Sequence, residues 1–561
     1  MLGNPEKLHK LFPLQDQLMP YATARPGIEI VGKARGSSGI VLVALAAALS
    51  VFLLNGVGLF YYDTGGYLAA GDRVLTALGA ARQPDEIARN PEPQAGASPS
   101  AEPMQSITTE APAPEVNAGS PDPVTPGSEI GVKTGSEPTA PETGPNVTIG
   151  SRSAAYGVAL ALALRSGWLD GMVLVNLAAL WLALWLVART LRPFASGHAA
   201  LRLSAFMVLA GCAGSLPFYV AFLMPDIFAP ILILVMALVA SHGQDMRWWE
   251  MGLALLLAVL AVLFHPSHLV MAALLLPLGI ILSPTRLRMR LMLAALLGLI
   301  VVGLGVGERI AFSRAVSKVQ GGVVLYLPFL TARLIDDGPG RAFLAGVCPD
   351  PARATCKLME NLTRAGDFPE RFDAPVILFD RTPDYGSYRL LSETDQRLIA
   401  AEQVSFALEV AATQPLGIAA AVAGNVLHQL SLSRIDMTLA TPDIVARLVA
   451  PGGGLDPSYA DGRLGHLSAF WRDLLWAGQA AVYLASTLWL TVGLLRRGGP
   501  LAGEKRLVAM ILLGILVNAL VCGAISEPAD RYGARVMFLL PLTCLMGNTK
   551  WRGKSVSGGL F

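Results

Sequence analysis

Long apolar stretches separated by short polar segments dominate the pattern of this chain. Ten of them approach the length of about 20 residues that a helix needs to cross roughly 30 Å of hydrocarbon. They lie at residues 39–60, 171–189, 202–223, 227–241, 250–266, 268–283, 290–307, 470–494, 506–525 and 533–548. The pattern predicts a mainly α-helical, polytopic membrane protein with about ten transmembrane helices.

Clusters of lysine and arginine orient these spans. They precede span one, separate spans two and three, six and seven, and eight and nine, and follow span ten. Threading from a cytoplasmic N-terminus places every cluster on one side, which the positive-inside rule assigns to the cytoplasm. Both termini are then cytoplasmic. Residues 415–433 would reverse the last two spans if they crossed, so we expect a buried or interfacial helix there.

Two long segments fall on the external side. Residues 84–147 are rich in Pro, Ser, Thr, Gly and Glu, and predict a disordered insert. Residues 311–469 have ordinary polarity and predict a mixed, largely helical external domain, in which Cys348 and Cys356 are expected to form a disulfide. The remaining divisions are a cytoplasmic segment at 1–38, a transmembrane core at 39–310, spans at 470–548 and a tail at 549–561.

Composition agrees with a membrane protein. Of 561 residues, 53% are hydrophobic and only 15% are charged, against roughly 25% charged in a typical soluble domain. The net charge of +2 gives no global field for nucleic acid. The chain contains neither a Walker motif nor a nucleophile elbow. Its Ala- and Arg-rich, Lys-poor style is typical of bacteria, so we expect the bacterial cytoplasmic membrane.

An acidic residue follows the first span directly. Residues 60–68 read FYYDTGGYL, with Asp63 between tyrosines and a Gly-Gly pair. An acid in this partly desolvated position could act as a general base, because desolvation raises the pKa of a carboxyl group. The alternative is a solvated loop aspartate beside an aromatic belt. The neighbouring Tyr62 is a candidate for binding substrate or phosphate.

A short apolar helix follows the insert. It comes after residues 150–157 (GSRSAAYG), in which Arg152 is a candidate for binding substrate or phosphate. An uncleaved first span, an acid at its external end, an in-plane helix in the first external loop and then a second span together resemble the GT-C glycosyltransferases. The resemblance covers about 38–310 and 467–548. It implies a sugar donor carried on polyprenyl phosphate, used at the external leaflet, and a catalytic role for Asp63.

The chain departs from that family in one respect. Many GT-C enzymes carry two neighbouring acids in this loop, whereas Asp63 stands alone until Asp72. The lone acid therefore does not indicate a divalent metal, without excluding one, and the sequence identifies no cofactor. The external domain resembles no accessory domain of the family.

Other polar residues are predicted on the same face. Asp226 follows a proline at the start of span four and would bind sugar hydroxyls, bind a metal or cap the helix. His265 and His268, in the turn HPSH, would bind phosphate, shuttle a proton or simply form a polar turn.

The last external turn, residues 526–535 (SEPADRYGAR), places two arginines where positive-inside statistics disfavour them. Arginine binds phosphate through two parallel hydrogen bonds. Arg531 and Arg535 are therefore candidate phosphate ligands, and an Arg-Tyr pair entering a final span is also similar to the end of some GT-C chains. Alternatively, Glu527 or Asp530 neutralises Arg531 structurally.

The implied partners are a polyprenyl-phosphate-linked sugar, a glycan, lipid or protein acceptor, and membrane lipids, but no nucleic acid. The active face would be periplasmic or extracellular. The chain also resembles bacterial O-antigen ligases and polymerases, for which Arg314, His428 and Arg434 would be the residues to test. A transporter or an assembly scaffold for cell-envelope polysaccharide is the non-enzymatic alternative.

Overall fold

A computed structural model describes residues 35–80, 147–150, 152–191, 197–283, 287–320, 322–364, 368–449, 454–495 and 503–547. The predicted cytoplasmic segment up to residue 34, the insert from 84 to 146 and the tail at 549–561 lie outside the described residues.

The described chain is mostly helical, as predicted. Its helices are α1 (Arg35–Asn55), α2 (Tyr62–Ala77), α3 (Ala154–Arg165), α4 (Gly171–Leu191), α5 (Gly197–Cys212), α6 (Leu216–Ala221), α7 (Phe228–His242), α8 (Trp248–Phe264), α9 (Pro266–Leu282), α10 (Leu287–Gln320), α11 (Phe329–Asp336), α12 (Pro339–Val347), α13 (Ala354–Arg364), α14 (Ala374–Phe379), α15 (Glu393–Thr413), α16 (Pro415–Ser431), α17 (Pro442–Val449), α18 (Ala469–Leu495), α19 (Gly503–Ile525), α20 (Asp530–Met537) and α21 (Leu539–Gly547). Two short strands, β1 (Val147–Ile149) and β2 (Val323–Leu325), pair in parallel.

Several helices are long and apolar enough to cross a membrane, as a multi-pass protein requires. Among the described residues there are five, at Ser38–Asn55, Gly171–Leu191, Pro225–His242, Ala469–Leu495 and Gly503–Ile525, or six if the bent pair α15–α16 counts as one. This is fewer than the ten that hydropathy predicts.

Breaks within the apolar stretches account for part of the difference. The predicted span 202–223 is divided into α5 and α6, and the predicted span 533–548 into α20 and α21. The predicted spans 250–266 and 268–283 form helices of only 17 residues each. Residues 290–307 lie within the longer helix α10.

Two large hydrophobic cores and one small cluster organise the described residues. The largest core joins the apolar helices and also takes in residues 435–459. The second core lies within 325–410, inside the segment 311–469 that the sequence predicts to be an external domain. The small cluster joins Ala154 to Phe312 and Val316 of α10. The predicted boundary at 310 falls inside α10, which continues to Gln320.

The predicted disulfide is present. Cys348 and Cys356 are bonded, with their Cα atoms 5.6 Å apart, and lie at the edge of the external core. Cys212, Cys522 and Cys544 are free thiols.

The helix predicted after the insert is present as α3, and it crosses α2 at close range. A Cβ atom built on Gly71 would lie 1.9 Å from the carbonyl oxygen of Gly157. Only glycine permits this approach of two backbones. Ser153 begins α3 by accepting a hydrogen bond from the Tyr156 backbone N–H, 3.3 Å away. The crossing holds the start of α3 beside the start of α2.

Candidate functional site

Backbone hydrogen bonds fix the chain between α1 and α2. The Leu59 N–H donates to the Ala221 carbonyl (2.9 Å), and the Leu223 N–H donates to the Leu59 carbonyl (2.6 Å). The Tyr61 N–H then donates to Thr64 Oγ1 (3.0 Å), which closes the first turn of α2. Asp63 lies in this turn. The bonds to Ala221 and Leu223 therefore hold Asp63 beside the segment that precedes Asp226.

Two arginines contact the Asp63 carboxylate from distant parts of the chain. Arg152 Nη2 lies 2.5 Å from Asp63 Oδ1, and Arg531 Nη1 lies 3.4 Å from Oδ2. The Asp63 and Arg152 side chains are each 30% exposed, whereas Arg531 is 6% exposed. Both carboxylate oxygens therefore face a cation at the edge of the buried region.

A second ion pair lies deeper. Arg535 Nη1 is 3.2 Å from Asp226 Oδ1, and neither side chain is exposed to solvent. The Oδ1 atom of Asn518 accepts two further hydrogen bonds from Arg535, at 3.1 and 2.8 Å. The interpretation of Asp226 as a helix cap is wrong, because its side chain caps neither the short turn Pro225–Ile227 nor α7, and its carboxylate pairs with Arg535. Asp226 Oδ2 is buried and has no hydrogen-bond partner among the described residues.

Arg531 joins the two pairs. Its Nε atom lies 3.8 Å from Asp226 Oδ1. Its guanidinium lies over the rings of Tyr61 and Tyr532, 4.7 and 4.8 Å from their centroids. The Tyr219 hydroxyl donates to the Arg531 backbone carbonyl (2.6 Å) and fixes the start of α20. Stacking and hydrogen bonding together leave the guanidinium little freedom.

Five of the predicted site residues thus form one cluster, namely Asp63, Arg152, Asp226, Arg531 and Arg535. Three guanidinium groups face two carboxylates, so the cluster carries a net charge of 3 − 2 = +1 when all five are ionised. An unbalanced charge at a buried position is costly unless an opposite charge joins it.

The alternative in which Glu527 or Asp530 neutralises Arg531 is wrong. Among the described residues, the carboxylates paired with Arg531 are those of Asp63 and Asp226. Asp530 instead accepts a hydrogen bond from the Arg434 backbone N–H (2.8 Å).

The electrostatics of Asp63 differ from the prediction. Burial by itself would raise the pKa of its carboxyl group, but the charges and hydrogen bonds of Arg152 and Arg531 outweigh burial and hold that pKa well below its usual value. The expected rise in proton affinity is therefore wrong for this arrangement. In this arrangement Asp63 is a carboxylate paired with two arginines, and the lowered pKa favours its ionised form.

The two histidines lie beside the cluster. Their ring centroids are 5.0 Å apart. His265 Nδ1 accepts a hydrogen bond from the Ser267 backbone N–H (3.2 Å), so the proton of a neutral His265 ring is on Nε2. His268 is fully buried and donates from Nδ1 to the Ala261 carbonyl (2.8 Å). In the described chain, no hydrogen bond joins either ring to the five charged residues.

Tyr62 lies at the outer edge and is 38% exposed. Its ring packs against Tyr61 and under the Arg447 guanidinium, 5.6 Å from the ring centroid. Within the described residues no group of three or more His, Cys, Asp or Glu side chains is placed to hold a metal ion.

Sequence reasoning missed several residues that support the cluster. Asn518 lies inside an apolar span, and Tyr219 lies in an apolar run; neither has a neighbouring sequence signal that marks its role. Tyr61 and Tyr532 lie within two residues of Asp63 and Arg531, which the sequence did identify, so an aromatic residue close to a charged candidate was the usable signal.

The residues of the ligase-like alternative do not meet in this way. Arg434 pairs with Asp436 and Asp473, at 2.8 and 2.5 Å. Arg314 on α10 and His428 on α16 are exposed, and no contact joins the three within the described chain. No protein-family model, no curated protein and no solved structure matches this chain.

Proposed function

We propose that this protein is a membrane glycosyltransferase. It moves a sugar from a polyprenyl-phosphate donor to a glycan, lipid or protein acceptor at the external face of a bacterial cytoplasmic membrane. The cluster that unites Asp63, Arg152 and Arg531 is the reaction site. This proposal includes ten crossings of the membrane, with α8, α9 and the broken helices spanning a locally thinned bilayer.

The proposal depends on the net positive charge of the cluster. A phosphodiester bears one negative charge, which would balance the single excess positive charge of the five residues. Arg152 and Arg531 would hold its oxygens, because a planar guanidinium matches phosphate in geometry as well as in charge. The deeper Asp226–Arg535 pair then keeps Arg531 in place through Asp226.

Donor binding would also activate Asp63. When the phosphate takes over Arg152 and Arg531, the carboxylate loses the two cations that lower its pKa, and its proton affinity rises. The acceptor hydroxyl attacks the anomeric carbon and passes its proton to Asp63. The bond between that carbon and the phosphate oxygen breaks, and the electron pair leaves with polyprenyl phosphate. Proton abstraction thus requires a bound donor.

The test is sugar transfer by purified protein in vesicles that contain polyprenyl-phosphate sugars and an envelope acceptor fraction. Asp63→Asn should lower the rate by about a hundredfold or more, because general-base catalysis contributes that much. Asp72→Asn is the matched control, since Asp72 lies on the same helix and pairs with Arg165 (2.6 Å) away from the cluster. Wild-type transfer by Asp63→Asn would refute the proposal.

A further inference from the structure

The surface of α16 is uncharged over most of its length. The residues exposed on it up to position 427 are Pro415, Leu416, Gly417, Ala419, Ala420, Ala423, Gly424 and Leu427. Leu416 is 84% exposed and Leu427 is 70% exposed. A helix that faces water normally carries charged or polar residues on its outer face. This face is therefore suited to an apolar medium.

The preceding helix, α15, carries many more charged residues than α16. α15 carries five charged residues, Glu393, Asp395, Arg397, Glu402 and Glu409, whereas α16 carries no Asp, Glu, Lys or Arg. The two helices are bent by 108° at the break between them. The change from a charged to an uncharged helix coincides with this bend, as expected if α15 leaves the membrane surface and α16 follows it.

Contacts near both ends of α16 tie it to parts of the chain predicted to be external. Near its start, Gly417 lies against Pro339 of the external domain. Near its end, the Gln429 side chain donates to the Ala529 carbonyl (3.0 Å) and accepts from the Ala529 N–H (2.9 Å). A helix with both ends on one side does not cross the bilayer.

The middle of α16 packs on the last turns of a spanning helix. A Cβ atom on Gly523 of α19 would lie 3.1 Å from the Asn425 backbone, so the two helices are in close contact there. Gly523 is two residues from the end of α19. This contact sets α16 at the level of the outer leaflet rather than above the membrane.

We propose that α16 lies in the plane of the outer leaflet, with its exposed face against lipid acyl chains. Its 17 residues span about 25 Å along the surface. Helices of this kind place their apolar face roughly 5–10 Å into the boundary between headgroups and acyl chains. The inference depends on the membrane assignment and not on the catalytic proposal.

Site-directed spin labelling in vesicles of phosphatidylcholine and phosphatidylglycerol tests this placement. Nitroxides are attached at Leu416→Cys and Leu427→Cys, with the half-buried Cys212 and Cys544 replaced by alanine. The water-facing control is Val404→Cys on α15, where the native side chain is 59% exposed. The lipid-facing control is Leu488→Cys on α18, where it is 58% exposed. Collision rates with oxygen and with a water-soluble nickel chelate are then measured.

The labels at both α16 positions should behave like the label at Leu488→Cys. They should collide often with oxygen and only rarely with the nickel chelate, unlike the label at Val404→Cys. Nickel collisions as frequent as those at Val404→Cys would show a water-facing helix and overturn the inference. Rare collisions with both reagents would indicate a protein-covered face, such as contact with a second copy of this chain, and would also overturn it.

Discussion

Asp226 and Arg535, 309 residues apart in the sequence, form an ion pair in which neither side chain is exposed. Removing one partner of such a pair leaves an uncompensated buried charge, which costs about 3–5 kcal/mol. Asp226→Asn should therefore lower the thermal unfolding midpoint markedly in detergent.

The double variant Asp226→Asn/Arg535→Gln should recover part of that loss, because neither charge remains. Glu360→Gln is the control, since it breaks a pair with Arg364 whose side chains are 64% and 71% exposed and should change the midpoint little. If Asp226→Asn unfolded at the wild-type midpoint, the buried pair would not be a structural support of Arg531.

Arg531 is expected to bind donor phosphate through its planar guanidinium. Arg531→Lys keeps the charge but loses the paired donors and the stacking between Tyr61 and Tyr532. Affinity for undecaprenyl phosphate in vesicles should fall by about tenfold or more, the effect of one charged hydrogen bond. Arg434→Lys, which alters an ion pair with Asp436, should bind as the wild type does. Equal affinities in the two variants would remove Arg531 from the phosphate site.

Glu527 confers a pH dependence on stability. Burial, opposed in part by the charge of Arg333, raises the pKa of its carboxyl group to about 7. Because the folded state holds this proton more tightly than the unfolded state, its contribution to stability is complete below about pH 4.5 and is lost as the pH rises through about 7.

Glu527→Gln should therefore gain stability relative to the wild type between pH 5 and pH 8, measured as the difference in unfolding midpoint at each pH. Glu393→Gln, at a side chain that is 49% exposed, should show no comparable change in that difference. A Glu527→Gln difference that is constant with pH would contradict the assignment.

The crossing of α2 and α3 positions Asp63 and Arg152 together. Gly71→Ala would place a methyl group 1.9 Å from the Gly157 carbonyl oxygen, so the helices must separate. Stability should fall by at least about 1–3 kcal/mol, as overpacking typically costs. Gly252→Ala, inside α8 with no neighbouring atom within 4 Å of the added Cβ, should be neutral or stabilising. Similar midpoints for the two variants would show that the crossing tolerates a side chain.

The sequence was sufficient to predict the helical class, the helix after the insert and the disulfide, because each depends on local pattern. The distribution of Lys and Arg also predicted Asp63 and Arg531 on one face, and the two side chains are in contact in the structure. The direction of the Asp63 pKa shift could not be predicted in this way, since Arg152 reaches it from 89 residues away. Two of the ten predicted spans are divided, at 213–215 and at Phe538, and these breaks contain no proline or charged residue that would mark them in the sequence. Two further predicted spans form helices of only 17 residues, because hydropathy alone does not set where a helix ends.

In the proposed mechanism, Asp63 and the donor phosphate compete for the same two arginines. The affinity of Asp63→Asn for undecaprenyl phosphate, titrated in vesicles beside the wild type, measures this competition. The variant should bind more tightly, because the competing carboxylate is gone while Arg152 and Arg531 remain. Binding that is unchanged or weaker in Asp63→Asn would contradict this mechanism.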